Sequence, residues 1–439
     1  MSWKRNDIIT NQLPWLGLFF LLYAIWLVPS TLGLRYFCLV TGSVFGLYQI
    51  VKNFDLINLK NYRDILLIYS LFVIVIVHYF FNSDGSDLIG NEFSVIWKKV
   101  FLGVTFAIGL GLILRREKSS RYKNIFILSL FLPVAMFLLI YLFNNILNLG
   151  YTNPLIIVNY FDPGKDNYIS KFQYVFFVMP ILGMGFYEFK ASLEVQGNVL
   201  KIILILLILL AILSSFYLVD GKNGFLYFIT CFLFFIIGAV FKYKSSIKKI
   251  ILMLVFSIFV LFIARQHFLN EPAWQHLETD IKFSLDTDKH DYWKHSDQTV
   301  ILRNESGQRV TETTFLRIAW LKEGLLLVVK YPMGYGLIQD SFKHLGKKEW
   351  DDASLSHSHW GWLDLTLGLG IPGLVITVLA VFNAFSKCLK SKNYYAKSGV
   401  WVLPLLSFAF LTSEVCEKTS WDMILFMIAF YSIVSIEDA

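Results

Sequence analysis

Charge is scarce in this chain. Only 16% of its 439 residues are Asp, Glu, Lys or Arg, while 56% are hydrophobic. A water-soluble domain of this size cannot hide so much apolar surface in one core, so a soluble globular protein is excluded. Cysteine is scarcer still, with four in all. Cys38 and Cys231 fall within apolar runs, Cys388 at the end of one and Cys416 outside, a distribution that supports neither a disulfide framework nor a cysteine metal site. No internal repeat is visible and the centres of the apolar runs carry almost no charge. Both absences argue against a transporter or flippase, whose broken helices place polar groups near the bilayer midplane. The first apolar run lacks a small-residue cleavage site, so no removed signal peptide is required.

What the chain has in abundance is membrane-length hydrophobic sequence, with a mean hydropathy of +0.58. Runs of roughly 20 apolar residues, enough to cross about 30 Å of hydrocarbon, recur along nearly its whole length. We count about twelve. They are Pro14 to Pro29, Thr31 to Val51, Ile65 to Phe81, Phe93 to Leu114, Asn124 to Leu147, Phe172 to Phe189, Val199 to Leu218, Gly221 to Phe241, Ile247 to Gln266, Ile371 to Leu389, Gly399 to Ser413 and Trp421 to Ile436. The expected fold is therefore an all-α polytopic membrane protein. Trp15, Tyr79, Trp97, Trp401 and Trp421 lie near expected span ends, where amphipathic rings favour the headgroup layer.

Orientation follows from the loop charges, because cytoplasmic connections hold the excess of Lys and Arg. Every second connection is basic: Lys4 and Arg5, then Lys52, Lys60 and Arg63, then Arg115 to Lys123, Lys190, Lys242 to Lys249, and Lys387 to Lys397. The intervening ones, such as Asn82 to Glu92, Asp162 to Asp166 and Val219 to Gly221, are acidic or neutral. Both termini are thus expected in the cytoplasm. The net charge of +7 is this inside bias and calls for a membrane surface rather than nucleic acid as partner.

One connection differs. Hydropathy collapses for roughly 90 residues between His267 and His359, on the side opposite the basic loops. This divides the chain into residues 1–266 with nine spans, a loop region 267–370 containing helices, and residues 371–439 with three more spans. Thr279 to Arg309 is polar and reads as a solvated surface, or as a mobile lid. Thr313 to Lys330 has helical apolar spacing, with Tyr331, Pro332 and Gly334 as its stop. Arg317 falls in or near the first turn, where a cation gains nothing from the helix dipole. The bland reading pairs it with Glu312 or lets it snorkel to headgroups. In YPMGYG, Gly334 and Gly336 allow a tight bend and close backbone approach, and a polar hairpin through Lys347 and Lys348 follows.

The segment from Asp351 to Gly373, DDASLSHSHWGWLDLTLGLGIPG, is the densest in chemistry. Ser356 or Ser358 fits as an N-cap, and Gly370, Pro372 and Gly373 break the pattern before the next span. That predicts a short interfacial helix turning into a transmembrane one, with His359 in its first turn, where a nearby helix N-terminus keeps an imidazole neutral. Asp364, Asp351 and Asp352 are candidates to orient it. A metal site built from His357, His359 and these aspartates is disfavoured, since residues two apart on a helix point to different faces. Three further cations face outward: Lys222 in a very short turn between spans, and Lys98 with Lys99 at the outward start of a span. Snorkelling to lipid phosphate is the bland account of each; lining one anionic site with Arg317 is the functional one.

The order of these features, many spans, a long outward loop after the ninth, RIAWLKEGLLLVVKYPMGYG and then HSHWGWLDLTLGLGIPGL, resembles the O-antigen ligase and O-antigen polymerase superfamily of bacterial envelope glycosyltransferases. In that superfamily an Arg heads a helix ending in a Pro and Gly turn, and a His precedes an aromatic or aliphatic pair before a Gly-rich entry into a span. Arg317 matches the first motif and His359, by its spacing to Trp362 and Leu363, the second; His357 is the looser match. The family's basic residue in the outward turn after the seventh span is usually Arg, and here Lys222 stands there, a point charge without the planar fork. Lys99 resembles a further basic position. Motif-level similarity covers about 60 residues.

The resemblance implies a C-type glycosyltransferase-like fold in the bacterial inner membrane, with a periplasmic site that uses no metal or other cofactor. The implied donor is an undecaprenyl-diphosphate-linked glycan. Lys222 and Arg317 as catalytic cations, with Lys99 and His357 as substrate-binding residues, would hold the diphosphate. His359 would act as general base, a role contributing roughly 10²- to 10⁴-fold. For an O-antigen ligase the acceptor is the lipid A-core oligosaccharide; for a polymerase it is another lipid-linked repeat unit. The single dominant loop just before the histidines favours the ligase.

Overall fold

The computed structural model describes residues 12–53, 62–81, 86–117, 119–147, 168–194, 199–240, 247–270, 276–295, 301–304, 307–412 and 418–436. Lys4, Arg5, Lys60, Lys118, Lys242, Lys244, Asp162 to Asp166 and Cys416, on which parts of the sequence reading rest, lie outside the described residues. The elements are helical: α1 Leu13–Ile25, α2 Leu32–Lys52, α3 Arg63–Phe81, α4 Ser86–Glu92, a π-helical turn Phe93–Trp97, α5 Lys98–Arg116, α6 Ser120–Tyr141, α7 Lys171–Glu194, α8 Val199–Leu218, α9 Lys222–Val240 and α10 Ile247–Asn270. After these come α11 Leu277–Ser284, α12 Glu312–Lys330, α13 Ser341–Glu349, α14 Gly361–Lys390, α15 Tyr394–Ala409 and α16 Lys418–Val434. Among the described residues there is no strand, only the isolated bridges His295 to Ser354 and Arg303 to Arg309. Among the described residues seven helices are long and apolar enough to cross a membrane, and four shorter apolar ones accompany them.

A helix that is apolar on every side belongs at the centre of a bundle, and α16 is such a helix: Trp421 to Val434 is buried throughout. It packs against α5, α14, α3 and α7. Trp97 and Trp421 are fully buried and meet edge to face at 6.1 Å. Interior packing, not the headgroup layer, therefore accounts for these two rings.

At one end of the bundle, residues of the basic connections before α3, before α6, after α7 and after α14 meet. Lys387 at the end of α14 binds buried Asp64 at the start of α3 at 2.6 Å, and Ser432 donates to the same carboxylate. The Asn393 amide, capping α15, donates to the Arg115 carbonyl at 2.9 Å. Lys123 and Lys201 hold Glu188 at 2.9 and 3.0 Å.

The loop region sits on the opposite end, and two devices fasten it there. Glu92, at the π-helical entry to α5, is a buried carboxylate accepting backbone N–H bonds from Ile338 at 2.8 Å and Gln339 at 2.9 Å. Its ties reach from the fourth expected span to the turn after α12. The second device is the YPMGYG turn, which lies on the broken part of α14: Tyr335 N–H donates to the Leu367 carbonyl at 2.8 Å, Gly336 N–H to Gly368 at 2.7 Å, and Ile371 N–H to Pro332 at 2.8 Å. The break is at Gly370, with φ 71° and ψ 179°. Gly334 has φ 78°, and a Cβ on it would strike the backbone of Gly368 and Gly370. Close approach at this turn and a helix break at Gly370 agree with the sequence reading.

Elsewhere the loop region departs from it. Lys347 and Lys348 lie in helix α13, not in a hairpin, because Phe342 and Leu345 share a face that buries itself. Part of the polar stretch from Thr279 is packed structure. Asp280 is buried and accepts from the Thr311 N–H at 3.0 Å, while the Thr287 hydroxyl donates to Glu323 at 2.6 Å and the Trp320 indole to the Trp293 carbonyl at 2.8 Å. Buried polar groups hydrogen-bonded in this way hold a loop in one conformation.

Gly370→Ala is expected to lower stability by about 1–3 kcal/mol, the usual cost of a side chain forced into such a backbone conformation, here with the Met333 carbonyl in the way. Gly17→Ala, where nothing lies within 4 Å of the new methyl, is the control. Thermal unfolding in detergent reads both, and the midpoint should fall only for the first.

Candidate functional site

The last carbonyls of a helix have no partners inside it and form the negative end of its dipole. At α15 those groups, with the residues just beyond, are met from three directions. The Ser407 carbonyl accepts the Trp362 indole N–H at 3.1 Å and the Phe410 carbonyl the Trp362 backbone N–H at 3.2 Å. The Thr412 carbonyl accepts the Asn223 amide at 2.9 Å and the Arg317 Nη1 at 3.3 Å, and the Thr412 hydroxyl bonds the Tyr227 hydroxyl. The first turn of α9, which begins at Lys222, thus meets Arg317 of α12 at one carbonyl. Both cations are half-buried. Lys222 occupies the short turn expected of it, since α8 ends at Leu218.

The histidines are positioned differently from the sequence expectation. α14 begins at Gly361, so His359 precedes the helix instead of occupying its first turn, and its φ is 59°. Neither serine is the N-cap residue; that position is Trp360. Asp364, in the first helical turn, reaches back and accepts the N–H of buried Ser358 at 2.9 Å. This clamps the residue between the two histidines. The Ser358 hydroxyl in turn accepts the Trp360 N–H at 3.2 Å.

In the resulting bend the two imidazoles meet, His357 Nε2 to His359 Nδ1 at 3.2 Å. His359 also stacks on Trp320, 5.3 Å between centroids at 17°, one helical turn beyond Arg317. The Trp360 indole donates to the Arg317 carbonyl at 2.8 Å. His359 is therefore held against the part of α12 that carries Arg317. The two histidines do not diverge as residues two apart on a helix would, because both precede α14. Among the described residues no three His, Cys, Asp or Glu side chains are arranged to hold a metal ion. Of the three candidate carboxylates, Asp364 acts on the peptide between the histidines, whereas Asp351 and Asp352 are exposed and Asp352 lies 3.8 Å from His295.

Lys99 belongs to a neighbouring group. Its ammonium and that of Lys98 flank the Tyr36 ring at 5.7 and 5.8 Å, and Lys99 and Arg35 are the cations facing buried Asp422 of α16. Arg35 also donates to the Trp26 carbonyl at 3.0 Å. Sequence reasoning passed over Arg35, Asp422 and Glu92. The available signal was a lone ionisable residue at the edge of an otherwise apolar run, which is costly unless it has partners.

Further along α9 and α15, an apolar cavity of about 650 Å³ is lined by Phe408, Trp401 and Leu405 of α15, by Thr230 and Phe234 of α9 and by Lys190 of α7. Phe408 packs edge-on against Tyr227 at 5.7 Å.

Residues 204–378 match the family model described as O-antigen ligase. Lys222, Arg317, His357 and His359 fall within that stretch and Lys99 outside it. Comparison with curated protein sequences finds no match.

Asp364→Ala leaves the Ser358 N–H buried without its acceptor, which typically costs about 1–3 kcal/mol. The expected outcome is a lower unfolding midpoint and faster modification of the two histidines by diethyl pyrocarbonate, measured against a wild-type control.

Proposed function

From the O-antigen ligase family region at residues 204–378, we propose that this chain is a bacterial inner-membrane glycosyltransferase. It transfers a glycan from undecaprenyl diphosphate to the lipid A-core oligosaccharide at the periplasmic face. The observation that carries the reading is the meeting of Arg317 and the Lys222 turn at the Thr412 carbonyl, with His359 held against the same segment of α12. In this reading twelve spans cross the membrane, α15 joining the apolar helices as one of them, and the end bearing Lys387, Lys123 and Lys201 is cytoplasmic along with both termini. Residues 1–266, 267–370 and 371–439 form the first spans, the periplasmic region and the last spans.

The chemistry follows from the charges. A diphosphate leaves readily once its charge is matched, and Arg317 with Lys222 supplies that match where water is partly excluded. Lys99, in its group with Arg35, extends the positive surface on the same side. His359 takes the acceptor hydroxyl proton as that oxygen attacks the anomeric carbon; direct displacement inverts the configuration there. The apolar cavity along α9 and α15 suits a lipid chain; its lining includes Phe408, which packs on Tyr227, and also Lys190 of α7. No step calls for a metal or nucleotide.

Reconstitution with a lipid-linked oligosaccharide donor and alternative acceptors tests this. Arg317→Ala and His359→Ala should abolish transfer while the protein still inserts, and Lys222→Arg should retain more activity than Lys222→Ala. Transfer should survive chelation; loss that a divalent ion restores would revive a metal site. In cells, loss of a ligase leaves polymerised glycan on the carrier lipid, whereas loss of a polymerase leaves core capped with a single unit. Normal transfer by His359→Ala would remove the base assignment.

A further inference from the structure

We propose that His357 is a positioning residue for His359, fixing which ring nitrogen takes the acceptor's proton; the inference rests on the reading of His359 as the base. A neutral imidazole carries one N–H and one acceptor nitrogen. The contact between His357 Nε2 and His359 Nδ1 at 3.2 Å therefore needs a donor on one side and an acceptor on the other. If His359 works as a base through Nε2, its own proton must reside on Nδ1. That N–H then donates to His357 Nε2, and His357 carries its proton on Nδ1.

The surroundings hold both rings in this relation. Asp364 clamps Ser358 between them, Trp320 supports the face of His359, and the two rings meet at 74° with centroids 4.2 Å apart. This edge-to-face geometry lets a nitrogen of one ring address a nitrogen of the other. A rigid partner selects the tautomer, as second partners of catalytic histidines generally do.

During transfer the hydroxyl proton moves to His359 Nε2 while the acceptor oxygen bonds to the anomeric carbon. The bond from that carbon to the diphosphate oxygen breaks, and its electron pair leaves with the diphosphate. His359 is then an imidazolium, and its Nδ1–H bond to neutral His357 becomes charge-assisted and stronger. A carboxylate in the place of His357 would also orient the base, but its negative charge would oppose an anionic donor beside Arg317 and Lys222. A neutral imidazole supplies the acceptor without that repulsion.

The test compares His357→Phe, which keeps a ring and loses the nitrogen, with His357→Gln, whose side-chain carbonyl can accept in place of Nε2. Both are made in the full chain, reconstituted with a lipid-linked oligosaccharide donor. His357→Phe should lower kcat about 10- to 100-fold, less than the roughly 10⁴-fold loss on disabling a charged partner of a catalytic histidine. Its KM for the donor should stay within about twofold, as befits an interaction made in the transition state. His357→Gln should recover most of the rate. In ¹⁵N spectra of histidine-labelled protein, His359 should be protonated on Nδ1 in the wild type and the Gln variant, and shift toward the other tautomer in the Phe variant. Unchanged kcat in His357→Phe, a raised KM at unchanged kcat, or an unchanged tautomer would each overturn the proposal. An inactive His359→Ala beside an unimpaired His357→Phe would remove this inference and leave the base reading standing.

Discussion

The C-terminal end of α15 is the constraint around which this end of the bundle is organised. Helix-end carbonyls shielded from water need donors from elsewhere in the chain. Here those donors come from Asn223, Arg317 and Trp362. Residues nearly two hundred positions apart are thereby drawn to one spot. The negative end of the helix dipole favours cations at that spot, so one arrangement serves both packing and the assembly of positive charge.

Around this hub the supports are rigid. Glu92 grips the turn after α12 through two backbone amides, and that turn bonds along the broken part of α14. Trp320 links three parts of the loop region: its indole holds the Trp293 carbonyl, its helix carries Arg317, and its face supports His359. A site built in this way keeps its charges in place before a ligand arrives, which is what electrostatic stabilisation of a leaving diphosphate requires. In the proposed function the scaffold supplies the preorganisation, and the bilayer supplies the donor's orientation.

Much of this was legible in the sequence because it depends on local signals. The helix through Arg317 and its stop at Tyr331, the short turn at Lys222 and the break at Gly370 all follow from periodicity, loop length and backbone preference. The histidine geometry was not legible. A serine upstream of an apolar run looks like an N-cap, but the helix starts later because Asp364 takes the Ser358 N–H and leaves His359 in a left-handed bend. Nothing local to SHSHW specifies that the two rings touch or that Trp320 lies beneath one of them. Likewise Lys99 reads, with Lys98, as an outward cation at the start of a span, and only the packing of α2, α5 and α16 reveals Arg35 and Asp422 as its company. Trp97 and Trp421 show the same limit, since a ring at a span end suits both the interface and the core.

The central claim is that Lys222 and Arg317 act together on one diphosphate. The direct measurement is a double-mutant cycle on the binding of undecaprenyl diphosphate to the reconstituted protein, using Lys222→Ala, Arg317→Ala and the pair. The account predicts non-additive losses, with the second substitution costing much less once the first is made. Losses that simply add would show that the two cations serve separate sites, and would contradict it.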